Sequence, residues 1–131
     1  MKYYSTNKQA PTASLTEAVV RGLATDKGLY MPEQIKRLPA SFFEGIADMS
    51  FQEIAYHVAD AFFGEDIPAE DLKHIVYDTL AFDPPVVHVN DNIYSLELYH
   101  GPTLAFKDVG ARFMARMLGY LENRGEGTVN V

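Results

Sequence analysis

The sequence predicts an α/β protein: a mostly helical amino-terminal domain at 1–85, then the opening of a parallel-sheet domain at 86–131. Three observations predict it. Capped amphipathic helices fill most of the first unit. A hairpin pattern follows the boundary Asp83-Pro84-Pro85. The chain then reads strand, helix, strand, the start of a βαβ unit. A parallel sheet is covered on both faces by further crossovers, so the expectation is a piece of a longer protein. A small α+β domain ending in an edge strand is the other reading.

Lys2-Tyr3-Tyr4-Ser5-Thr6 opens as a short strand rich in β-formers, broken by Ala10-Pro11. Ser14-Leu15-Thr16-Glu17 is a capping box, followed by Leu15, Ala18, Val19, Gly22 and Leu23 at helical spacing. Thr25-Asp26-Lys27-Gly28 is a turn, and Leu29-Tyr30-Met31-Pro32 an extended piece. Ser41 is expected to cap a short helix through Glu44. Ser50 and Glu53 box a longer one with Phe51, Ile54, Ala55, Val58, Ala61 and Phe62 inward, stopped by Gly64. Pro68-Ala69-Glu70-Asp71 starts another, with acids in the first turn and a face of Leu72, Ile75, Val76, Thr79 and Leu80. Val86–Val89 and Ile93–Tyr99 form a hairpin across Asn90-Asp91-Asn92. A last helix carries Val109, Phe113, Met114, Met117, Leu118 and Leu121 on one side, with Arg112 and Arg116 on the other. Asp108 is placed to pair with Arg112. Thr128–Val131 reads as a starting strand.

Composition narrows the function classes. At 47% hydrophobic and 22% charged the chain is too apolar to be disordered. Its formal charge of −7 argues against nucleic acid or an anionic membrane as partner. The charge is uneven: residues 1–99 hold 7 basic and 15 acidic residues, and 100–131 hold 4 and 3. A small anionic ligand belongs with the second stretch. No cysteine is present, which removes thiol nucleophiles and thiolate metal sites and fits a cytoplasmic location. The start shows no signal peptide. His57, His74, His88 and His100 show no metal-ligand spacing, so no metal is expected.

One stretch is chemically unusual: His100-Gly101-Pro102-Thr103-Leu104-Ala105-Phe106-Lys107-Asp108. A lysine falls in the first turn of a helix, where the dipole disfavours its protonated form. Leu104, Ala105 and Phe106 suggest an apolar wall acting in the same direction. A neutral amine condenses with an aldehyde, so the pattern suits a lysine that carries pyridoxal phosphate. Asp108 acts against this unless Arg112 neutralises it. The competing reading is a solvated surface lysine. A nucleotide P-loop is rejected, since Phe106 and Asp108 replace its glycine and hydroxyl residue. Thr103 reads equally as a helix N-cap, and His100 as a strand-end residue.

The run Leu96-Glu97-Leu98-Tyr99 through Asp108, with Gly110-Ala111-Arg112-Phe113-Met114, resembles threonine synthases at their cofactor lysine. Tyr3-Tyr4-Ser5-Thr6-Asn7, Gly22-Leu23-Ala24 and Gly28-Leu29-Tyr30-Met31-Pro32 resemble the same family's amino terminus. The resemblance implies a fold-type II enzyme, similar to the tryptophan synthase β chain, that makes L-threonine and phosphate from O-phospho-L-homoserine and water. It implies Lys107 as the catalytic lysine holding pyridoxal phosphate, and Phe106 and Asp108 as flanking cofactor-binding residues. His100 and Thr103 could line the substrate pocket. Family members run on well past residue 131 to their phosphate-binding loop, so the chain alone is expected to be inactive. The alternative is a non-catalytic helical binding module with Lys107 on its surface.

Overall fold

Two serine–glutamate pairs start the first and third helices. A computed structural model describes residues 1–124. Strand β1 (Tyr3–Ser5) leads to helix α1 (Leu15–Arg21), where Ser14 and Glu17 close a reciprocal capping box. After β2 (Tyr30–Pro32) come α2 (Ala40–Gly45) and a 3-10 turn, Ile46–Asp48. The box Ser50/Glu53 then opens α3 (Phe51–Phe63). Helix α4 (Ala69–Thr79) follows Pro68, the hairpin is β3 (Val86–Asn90) and β4 (Ile93–Leu96), and α5 spans Lys107–Asn123. The expected cap at Ser41 is replaced by Pro39, whose extended φ −70°, ψ 159° presets the start of α2 without a side-chain bond. The second hairpin strand ends at Leu96 rather than Tyr99.

Both sheets among the described residues are antiparallel pairs: β1 with β2, in register Tyr4 opposite Met31, and β3 with β4. The expected parallel strand, Thr128–Val131, lies outside the described residues. The turn between α1 and β2 is tied to β1 by the Asp26 carboxylate. It accepts bonds from Ser5 Oγ (2.6 Å), the amides of Gln9 and Ala10 (both 2.9 Å) and the amide of Gly28 (3.0 Å). Gly28 is required there, because a Cβ would stand 2.0 Å from Ser5 Oγ.

One core joins the first element to the last. Tyr3, Leu15, Ala18, Ala59, Ile67, Leu72, Val76 and Leu80 pack with Met117 and Leu121 of α5. Burial raises the Tyr3 phenol to about 12, and its hydroxyl donates to the Phe62 carbonyl at 3.2 Å. The face of α4 expected inward is buried throughout. Helix α3 is less covered: an apolar groove lined by Phe51, Ile54, Val58, Phe62, Val109 and Phe113 runs along it. Every residue of both hairpin strands is exposed. No described helix is long and apolar enough to cross a membrane.

The Asp26 cluster yields a pH prediction. Hydrogen bonds, first that of Ser5, lower its carboxyl to about 2. An unfolded aspartate titrates near 3.9. A depressed folded value contributes stability that is present above about 4 and is lost as pH falls through about 2. Asp26→Asn should destabilise the chain at neutral pH and flatten its denaturant midpoint between pH 4 and pH 2. An unchanged acid slope contradicts the assignment.

Candidate active site

Helix α5 brings Lys107 to its first turn, and three interactions decide where that turn lies. On the far side of the helix from solvent, Met117 and Leu121 are buried in the core. Arg112 donates from Nη2 to the Asp78 carbonyl at 2.8 Å, and Arg116 donates from Nε to the Asp78 carboxylate. Asp78 lies in the last turn of α4, where backbone carbonyls lack an intrahelical partner. An arginine from the neighbouring helix therefore satisfies an orphan acceptor. The Arg116 bond also holds the Asp78 carboxyl below its ordinary range.

This corrects the expected Asp108–Arg112 pair. Arg112 is taken by α4, and Asp108 points into the protein, 1% exposed. One of its oxygens, Oδ2, accepts from both the Thr103 amide and the Thr103 hydroxyl, each at 2.9 Å. Thr103 is therefore not the N-cap of α5. That position is Phe106, which makes no side-chain cap bond. The chain enters the helix through tight turns, with Leu104 N–H bonded to Gly101 O and Asp108 N–H to Ala105 O, both at 3.0 Å. Leu104 is held in the left-handed region at φ 56°, which a leucine adopts only under constraint.

Lys107 itself is exposed. No ion pair joins its amine to a carboxylate among the described residues. The apolar wall expected from Leu104 and Phe106 is not formed by the described residues: these side chains are 78% and 69% exposed. The hairpin is bare as well, with Val86, Val89, Ile93 and Tyr94 each more than half exposed. His100 lies just ahead of the loop. Its Nε2 meets Glu97 Oε2 at 2.7 Å, and its ring stacks on Tyr99 at 4.7 Å. The bonds of His100 and then Tyr99 hold the Glu97 carboxyl below its ordinary range.

The arrangement presents a reachable primary amine on a rigid helix start, the chemistry of Schiff-base formation with an aldehyde. Sequence reasoning missed Glu97 as the partner of His100 and Asp78 as the anchor of α5. The spacing of Glu97 and His100 was the available signal for the first. The second joins residues far apart in sequence and left none.

A family model described as threonine synthase N terminus matches residues 2–80. The chain belongs to the threonine synthase family. It is 36% identical over 121 residues to the threonine synthase of Escherichia coli (strain K12), covering 92% of this chain and 28% of that protein. The Saccharomyces cerevisiae enzyme is 38% identical, covering 93% and 26%. Among solved structures, threonine synthase from Brucella melitensis, described as bound to PLP, matches with TM-score 0.86 at 40% identity, over 95% of this chain and 28% of that one. The Escherichia coli structure matches with TM-score 0.85 at 36% identity. The chain thus spans under a third of the length of these relatives.

The close approach of Gly101 to Asp108 is testable. A Cβ at Gly101 would stand 2.6 Å from Asp108 Oδ2, whereas one at Gly119 of α5 meets nothing within 4 Å. Gly101→Ala should destabilise the chain by about 1–3 kcal/mol through overpacking. Gly119→Ala should stabilise it by about 0.5–1 kcal/mol through helix propensity. Denaturant unfolding reads both, and equal midpoints for the two variants contradict the packing described.

Proposed function

We propose that the chain is the amino-terminal part of a threonine synthase, converting O-phospho-L-homoserine and water to L-threonine and phosphate. Pyridoxal phosphate is the cofactor in this reading, and Lys107 is its covalent anchor. The observation that carries the reading is the placement of Lys107. In a chain of this family, the lysine of the motif is exposed on the first turn of α5, with no carboxylate of the described residues paired to its amine. The residues present fit an aldehyde cofactor, since the amine is accessible and the adjacent acid, Asp108, is engaged by Thr103.

When bound, the cofactor supplies an electron sink for carbanion chemistry at the substrate. The protein's own part falls to a few groups. The Lys107 amine would hold the cofactor through its aldehyde, and the same Nζ would carry protons at the reacting carbons. Phe106 and Asp108, which flank Lys107, would help to hold the cofactor there. His100, oriented by Glu97, and Thr103 border the substrate. The exposed hairpin and the Leu104–Phe106 surface are where the remainder of the enzyme excludes water from the site.

We place the boundary between a helical unit, 1–85, and the first part of the cofactor-binding unit, 86–131, at Asp83-Pro84-Pro85. The second unit begins the parallel sheet of a fold-type II enzyme, and the reaction is cytoplasmic.

Borohydride reduction of the full-length enzyme with pyridoxal phosphate, followed by peptide mapping, should place the label on Lys107 and not on Lys2, Lys8, Lys27, Lys36 or Lys73. Lys107→Ala should abolish the label and lower turnover by about 10²–10⁴-fold or more, with the fold intact because the side chain is exposed. Lys107→Arg should fail equally, since a guanidinium stays protonated. Label elsewhere, or wild-type turnover in Lys107→Ala, overturns the assignment.

A further inference from the structure

We propose that Asp108 is a positioning residue for Lys107: it fixes the 101–108 loop through Thr103, so that α5 begins with the lysine amine turned outward. The inference rests on Lys107 being the cofactor lysine and adds how that lysine is held.

A carboxylate that is 1% exposed is costly unless hydrogen-bonded. Both bonds that Asp108 accepts come from one residue, Thr103, and both fall on Oδ2. Its other oxygen, Oδ1, is buried with no donor among the described residues. A group so incompletely satisfied is poorly suited to a purely stabilising role, because half its desolvation goes uncompensated. It is well suited to fixing a shape. Thr103 is five residues back, and the two bonds close the loop between them into a ring. Within that ring Leu104 is held at φ 56°. Gly101 approaches so closely that a Cβ would stand 2.6–2.7 Å from the Asp108 side chain. The position is also right electrostatically, since the first turn of a helix favours an acid. Lys107 is the neighbour of this clamp and leaves the helix exposed. Displacing a reacting group by about 1 Å costs on the order of 10²-fold in rate, so a clamp at the adjacent residue bears directly on the amine.

The test uses the full-length enzyme and two readouts. The first, without cofactor, is amide exchange at Thr103, whose N–H donates to Asp108. The second, with pyridoxal phosphate, is the visible circular dichroism of the cofactor and the rate of borohydride trapping at Lys107 per folded molecule. Asp108→Ala should raise Thr103 amide exchange at least ~10-fold and slow trapping about 10²-fold, with altered circular dichroism. Asp108→Asn keeps an acceptor oxygen and should restore most of both. Thr103→Val should fall between them, and Thr103→Ser, which keeps both donors to Asp108, should retain wild-type amide exchange at residue 103. A merely structural residue would reduce the yield of folded protein and leave trapping per folded molecule unchanged. If Asp108→Ala does not fold, the Thr103 pair decides: Thr103→Val equal to the wild type in both readouts overturns the clamp. Wild-type labelling at Lys107 with an indifferent Asp108→Ala overturns this proposal alone. No label at Lys107 in the wild type overturns the cofactor assignment and this proposal with it.

Discussion

The grip of two arginines on Asp78 is the contact on which the candidate site depends. Arg112 takes the carbonyl and Arg116 the carboxylate, so one residue at the end of α4 holds two successive turns of α5. Met117 and Leu121 continue the seam into the core. Polar bonds at one end fix the rotation of the helix, and apolar burial at the other fixes its depth. Together they determine which residue of the first turn faces out and which faces in. Lys107 faces out and Asp108 faces in.

The consequence is a site built on a rigid scaffold but left open. Beside Lys107 the loop is tightly made, with Thr103 bonded to Asp108 and Gly101 close against the Asp108 side chain. Leu104, Phe106 and the apolar residues of the hairpin are left bare. A two-stranded hairpin exposed on both faces is marginal alone. The chain spans under a third of its relatives' length. The amino-terminal unit thereby acts as a footing for Lys107, because α5 is anchored in its core.

Much of this was legible in the sequence, for local reasons. The Ser14/Glu17 and Ser50/Glu53 boxes are short-range chemistry, and both formed. The inward face of α4 followed from 3.6-residue spacing, and the hairpin turn from its asparagine and aspartate residues. What failed was tertiary. The i, i+4 pairing of Asp108 with Arg112 is a sound rule for an isolated helix, but a packed neighbour offered Arg112 an orphan carbonyl. The apolar wall was inferred from residue type alone, and the described residues supply nothing to cover Leu104 and Phe106. Ser41 lost its capping role because Pro39 presets the turn two residues earlier. The motif placed the lysine, whereas the burial of Asp108 and its bonds to Thr103 needed the fold.

The claim that α5 is anchored in the amino-terminal core is tested most directly by native-state hydrogen exchange on the chain in increasing denaturant. Residues of one cooperative unit open with one free energy, and weakly packed elements open at lower ones. The amides of Met117 and Leu121 should exchange with the same opening free energy as those of Leu72 and Val76, within about 1 kcal/mol. The hairpin amides of Val87 and Val89 should exchange well before them. If instead α5 opens together with the hairpin while α4 stays protected, the helix is not held by the core, and the footing described for Lys107 does not exist.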